Sequence, residues 1–369
     1  MADATASPAV SRIWLLVKAV ILRALMRIGM FFHGYPLPGP PAPHFTRRLP
    51  GHSVKLHFYT PKEYANASSN GHRYPVVVNF HGGGFCLGRA TDDARWAQIV
   101  TNIANAVVVS VDYRLAPEHP FPAAVDDGVE ALLYLQEHAS ELHLDTSRVT
   151  LSGFSAGGNL VFSVPLLLRS RFSASTPPSL SYFSSSSLEN ASRPDLSRYD
   201  SSHKLLATTT TTATDLNLRI VSLVSWYPVL DFVLPRDVRR GRCAHPKKSL
   251  PSCLTTLFDN SYLPNHDDRS SPFASPIRAP PELICEALPT DVFIYMCEWD
   301  MLLHEGQEFV HQLEGQGKRV RSMMIEQSKH AWDKSVNPFR DQGRIDVFYL
   351  AAAEQMKKIF EEGREMECP

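Results

Sequence analysis

The chain has 369 residues, 44% of them hydrophobic and 20% charged, with a formal net charge of −1. That length can bury a sizeable core, as one large α/β domain with insertions or as two modest domains. Near-neutral charge gives nucleic acid no electrostatic footprint. Six cysteines without CxxC spacing supply neither a zinc site nor a dense disulfide framework, so idle thiols in a reducing, cytoplasmic setting are expected, with a Cys243–Cys253 bridge left open.

The first 60 residues carry seven Lys/Arg against one acid, Asp3. Within them, 13–32 is strongly apolar and about long enough to span a membrane, but Lys18, Arg23 and Arg27 interrupt it. On a helix Arg12, Arg23 and Arg27 share one narrow sector, which predicts an amphipathic helix with a basic stripe. Such a helix could pack on its own protein as part of a lid, or make peripheral membrane contact through 12–32. A secretory signal is not expected, because no uninterrupted apolar region ends in a small-residue cleavage site. The Pro-rich stretch 36–43 then reads as a connector, which sets 1–45 apart from a main body of 46–369.

In that body, 54–59, 76–80, 106–111, 148–151, 218–226, 292–297 and 320–325 read as strands. Helical patterns at 93–104, 123–138, 156–169, 305–315 and 345–362 fall between them. This alternation predicts an α/β fold: a mainly parallel sheet with helices on both faces and ligands at the C-terminal ends of the strands. Two segments break the rhythm. The Ser/Thr-rich region 171–216 holds too little apolar surface to offset its ordering entropy and reads as a disordered insertion. The second, 232–288, is rich in Pro and basic residues, with a short helix at 254–262, and reads as a cap inserted between strands. The sequons at Asn66 and Asn190 carry little meaning without a signal.

Two motifs carry chemistry. Gly153-Phe154-Ser155-Ala156-Gly157 lies where a strand turns into a helix, so the Ser155 hydroxyl is exposed at a helix N-terminus as a candidate nucleophile. His81-Gly82-Gly83-Gly84-Phe85 directly follows a strand, and its glycines let backbone N–H groups converge on one point. Gly83, Gly84 and Ala156 are therefore the expected oxyanion donors. A phosphate cradle is disfavoured, since the loop lacks the Lys-Ser/Thr of a P-loop and the spaced glycines of a dinucleotide site.

These motifs, with 112–118 (DYRLAPE) and 119–124 (HPFPAA), resemble the hormone-sensitive-lipase-like branch of the α/β-hydrolases, most strongly over 74–166. The resemblance implies an α/β-hydrolase fold with eight strands and a helical cap built from the N-terminus and an insertion. It also implies cofactor-free, metal-free hydrolysis of a small-molecule ester by a Ser-His-Asp triad, as in a carboxylesterase or deacetylase. The required order of nucleophile, acid and base points to Asp300, after strand 292–297, with Glu298 as its neighbouring rival. The base is then His330, just past strand 320–325; His119, His304 and His311 fit less well. A non-catalytic small-molecule receptor and an amide or thioester hydrolase are the alternatives, and His330 favours an enzyme. A short-acyl ester is the expected substrate.

Overall fold

The computed structural model describes residues 9–174 and 216–365, apart from Pro36 and His52. The Ser/Thr-rich insertion falls almost wholly outside them, as do the Asn190 sequon and Cys368. Helix α1 (Ala9–His33) leads into β1 (Phe45–Arg48) and β2 (Lys55–Tyr59), and a single turn α2 (Ala67–Asn70) precedes β3 (Tyr74–Phe80). Next come α3 (Ala94–Ala104), β4 (Val107–Asp112), α4 (Ala123–Glu137), β5 (Leu144–Phe154) and α5 (Ala156–Ala174). Past the insertion run β6 (Ile220–Trp226), α6 (Arg236–Arg242), α7 (Ser252–Tyr262) and α8 (Pro281–Ala287). The chain then closes with β7 (Asp291–Trp299), α9 (Leu303–Gly315), β8 (Arg319–Lys329) and α10 (Gln342–Glu365).

The strands form one eight-stranded sheet in the order β1-β2-β4-β3-β5-β6-β7-β8. Only β1 and β2 run antiparallel to their neighbours; β4 through β8 are parallel, as βαβ crossovers require. All seven residues of β3 are buried, and Val76, Val77 and Val78 each contribute roughly 2 kcal/mol on leaving water. One apolar layer joins α4, α5 and α9 to the sheet, and a second, built around Trp96, Trp226 and Tyr349, joins α3 and α10 to the opposite face. The seven sequence-predicted strands are all present. β1 is the addition: its Phe-Thr-Arg-Arg carries no apolar alternation, and it becomes a strand through its ladder with β2.

Helix α1 is amphipathic in an inverted sense. Its inner face, with Ala19, Leu22 and Met26, packs on the body, and Arg23 also points inward. That guanidinium donates to the carbonyls of Cys86 (2.7 Å) and Ala116 (2.8 Å) and grips both oxygens of Glu118 (2.6 and 2.9 Å). At the C-terminal end, the Arg340 guanidinium donates to the His33 carbonyl (3.0 Å) and Arg95 to that of Gly34 (2.8 Å). The outer face is apolar instead: Ile13, Trp14, Val17, Val20, Ile21, Leu25, Ile28, Phe31 and Phe32 are exposed, Trp14 by 61% and Phe31 by 67%. Among the described residues, no helix is long and apolar enough to cross a membrane.

His33 anchors this helix as a neutral side chain. Burial, reinforced by the Lys334 charge, lowers its pKa from 6.5 to about 4, while its ring lies 3.1 Å from the Ser335 carbonyl. A folded-state pKa below the unfolded one means that the unfolded chain takes up the proton first as pH falls. Stability is therefore lost between pH 6.5 and about 4, by roughly 3 kcal/mol over the window. His33→Gln should remove that component, so urea midpoints of variant and parent should diverge in the variant's favour as pH drops through this range.

Candidate active site

The last residues of β5 and the first turn of α5 form a tight elbow. Ser155 sits at its apex with φ of +54°, and its N–H donates to the Trp226 carbonyl on the adjacent strand (2.8 Å). A non-glycine residue with positive φ is held there only by the packing around it. Packing also dictates Gly157, since a methyl group at that position would overlap the Phe80 carbonyl at the end of β3.

From the apex, Ser155 Oγ lies 2.8 Å from His330 Nε2, and His330 Nδ1 lies 2.5 Å from Asp300 Oδ2. The other Asp300 oxygen accepts the Leu302 N–H (3.2 Å). Three residues from three loops, at the C-terminal ends of β5, β7 and β8, thus come together in the order the sequence predicts. His330 and Asp300 are buried, 6% and 1% exposed, so water competes little for the bonds that fix the ring's tautomer. Glu298 is turned elsewhere and accepts the Gln327 N–H (2.6 Å). His119, His304 and His311 lie on the surface.

The glycine loop after β3 reaches the same apex: a methyl group on Gly82 would lie 3.5 Å from the Ser155 Cβ. Gly84, with φ of +61°, presses against the ring of Phe258 on α7 so closely that any side chain would overlap it. The N–H groups of Gly83, Gly84 and Ala156 have no acceptor among the described residues. Several buried contacts hold this loop. His81 stacks on Tyr113 (4.2 Å between ring centres), and the Tyr113 hydroxyl donates to the His81 carbonyl (2.8 Å). Phe85 stacks on Tyr262 of α7 (3.6 Å), and Arg23 of α1 takes the Cys86 carbonyl.

Sequence reading missed the support behind His330. Lys334 lies in the 3₁₀ turn that follows it and pairs with buried Asp93 (2.7 Å) over the face of Phe154 (3.9 Å). Beside it, Asp333 accepts hydroxyls from Tyr227 (2.5 Å) and Tyr349. Burial raises both tyrosine pKa values well above 10, so the hydroxyls stay protonated donors. The adjacent charges Asp333-Lys334, placed directly after the candidate histidine, were the one local signal of this network.

A narrow cleft opens at the apex, lined by Gly84, Phe85, Ser155, Val229, Phe232, Arg236, Leu250, Phe258, Leu302 and His330. It is mostly apolar. Residues of α6 and α7 form one wall, tied together by the Arg236–Asp259 pair (2.6 and 2.9 Å). Among the described residues, no cluster of three or more His, Cys, Asp or Glu could hold a metal. Cys86, Cys243, Cys253, Cys285 and Cys297 are unbridged, and burial pushes the Cys86 thiol up to about 12.

A family model described as alpha/beta hydrolase fold matches residues 77–334. Among curated proteins, the chain is similar to carboxylesterase 20 of Arabidopsis thaliana, 42% identical over 36% of this chain and 43% of that protein. It is also similar to human arylacetamide deacetylase-like 2, 27% identical over 75% and 71% of the two chains. The first curated relatives are matched over only about a quarter to two fifths of their lengths. A thermostable esterase from Pseudomonas putida shares the fold, with a TM-score of 0.69 at 20% identity over 96% of this chain and 98% of that one.

The overlap at Gly157 has a measurable consequence. Gly157→Ala drives a methyl into backbone that cannot swing aside, and should cost about 3 kcal/mol or more, read as a fall in the urea midpoint at unchanged slope.

Proposed function

The chain belongs to the alpha/beta hydrolase fold family, in its hormone-sensitive-lipase-like branch, and from that premise we propose that it hydrolyses a carboxylic ester through Ser155, His330 and Asp300. The observation that carries this reading is the unbroken line of hydrogen bonds from Ser155 Oγ through His330 to Asp300. Asp300 holds the Nδ1 proton, leaving Nε2 as the base that takes the hydroxyl proton as Oγ attacks the ester carbonyl. The carbonyl oxygen becomes an oxyanion facing the N–H groups of Gly83, Gly84 and Ala156, each such donor contributing roughly 3 kcal/mol in the transition state. His330 returns its proton to the departing alkoxide and an acyl-enzyme remains. Water, deprotonated by the same nitrogen, then releases the acid and restores Ser155.

The retained histidine favours this over a receptor that binds without turnover. A narrow, mostly apolar cleft walled by Phe85, Phe232, Leu250, Phe258 and Leu302 supports a small or medium ester with a short acyl chain. Purified protein should turn over 4-nitrophenyl acetate and butyrate, with rates declining toward long-chain emulsions. Ser155→Ala should lose about 10⁶-fold in kcat. Equal turnover by parent and variant would sink the assignment.

The outer face of α1 supports a second element of this reading, attachment to an anionic membrane surface. Its exposed side chains each return roughly 1 kcal/mol on half-burial, and the exposed Val336, packed beside Gly29, extends the patch from a neighbouring loop. Lys18 and Arg27 flank the face and α1 contains no acidic residue, so two copies would meet like charge with like, whereas lipid headgroups complement it. In flotation assays the protein should rise with phosphatidylserine-containing vesicles, and Ile21→Glu/Ile28→Glu should stay behind. A lipid-indifferent dimer abolished by the same pair would assign the face to self-association instead.

A further inference from the structure

Among the described residues lining the mostly apolar cleft, Arg236 is the one permanently charged side chain. Its Nε and Nη2 are taken side-on by the two oxygens of Asp259, at 2.9 and 2.6 Å. The third nitrogen, Nη1, has no acceptor among the described residues, although the side chain is only 15% exposed. The guanidinium lies 5.7 Å from the ring centre of Phe232, another lining residue, so it is held from below as well as from the side. Deeper in the same cap, Arg239 pairs with Glu305 (2.8 Å), both 3% exposed. That second pair is enclosed and does not line the cleft. Arg236 is different, because its side chain lines the same cleft as Ser155 and keeps one nitrogen without an acceptor among the described residues.

We propose that Arg236 is a specificity-determining residue whose Nη1 receives a second carbonyl-type oxygen of the substrate, a carboxylate or a ketone, beyond the ester that Ser155 attacks. The proposal rests on the hydrolase reading for its choice of substrate. A guanidinium edge held in place by Asp259 loses free energy when a ligand covers it without matching it, and a planar sp² oxygen is the acceptor its fork geometry fits. Asp259 neutralises the formal charge but cannot use the third edge. A substrate carrying only alkyl at that point leaves Nη1 unpaired in a narrowed cleft, and discrimination arises from that loss more than from size. The assigned class is therefore a small ester bearing one further oxygen acceptor.

The test compares isosteric esters that differ in this acceptor alone. On the alcohol side these are the acetates of 4-(hydroxymethyl)benzoate, 4-acetylbenzyl alcohol and 4-ethylbenzyl alcohol, in which the methylene keeps the leaving groups nearly equal; on the acyl side, the 4-nitrophenyl esters of 5-oxohexanoate, glutarate (as its free half-acid) and hexanoate. Parent protein should favour the acceptor-bearing members of one series by about tenfold or more in kcat/KM. Whether carboxylate or ketone leads identifies the source of the oxygen. Arg236→Met strands buried Asp259, so the informative variant is Arg236→Met/Asp259→Leu, which removes both charges together. In it the ratio should fall to near one. Arg236→Lys, which lacks the fork, should fall in between. A parent ratio at or below one in both series, or a ratio the double variant leaves unchanged, overturns the proposal. Calorimetric binding of the same compounds to Ser155→Ala, with and without the double change, reads the contact without turnover. If no ester is hydrolysed but the binding preference stands and vanishes with Arg236, the hydrolase reading fails and this one survives.

Discussion

Everything in the site depends on one close approach: the backbone of Gly157, in the first turn of α5, against the Phe80 carbonyl at the end of β3. That contact brings the turn after β5 and the loop after β3 to a single point on the sheet edge. With no side chain between them, Ser155 is forced to the apex at positive φ and the Gly82 backbone lies beside it. Ser155 and the glycine loop are consequently one unit, fixed by two adjacent parallel strands. The strain of the positive φ at Ser155 is held by the packing around it.

Around that unit the protein uses buried polar contacts as struts. Lys334, Asp93, Asp333 and the hydroxyls of Tyr227 and Tyr349 lock the turn that presents His330. Arg239–Glu305 and Arg236–Asp259 hold the cap above the cleft. Buried pairs like these add little net stability over apolar packing of the same shape, but losing one partner costs about 3 to 5 kcal/mol. Their value lies in specifying one arrangement. Arg23 extends the logic to the N-terminal helix, joining α1 to the Cys86 and Ala116 carbonyls within reach of the donor loop.

The inversion of α1 follows from the same economy of donors. The strands, helices and loops that form the floor beneath it present carbonyls and Glu118, which a guanidinium satisfies and leucine does not. Turning Arg23 inward rotates the large apolar residues outward. An amphipathic pattern in a sequence locates a stripe, but which stripe faces the protein depends on what the protein offers there.

Much of this was legible in the residue order. Period-two runs, helical periods and glycine turns sufficed for seven of the strands and the long helices, and the Ser, Asp, His order sufficed to nominate Ser155, Asp300 and His330. Those signals are local, arising from backbone sterics and side-chain periodicity that neighbours in the chain already impose. β1, the supports behind His330, the Arg236–Asp259 wall and the sense of α1 were not legible. Each exists through pairings that side-chain periodicity does not announce: a ladder lent by nearby β2, a lysine meeting an aspartate 241 positions earlier, an arginine choosing carbonyls 63 and 93 positions away. By itself the sequence determined the fold class and nominated the candidate groups of the site; tertiary structure alone decided what holds them, what the cleft presents and which face of the first helix meets the outside, because long-range polar pairing leaves no periodic trace.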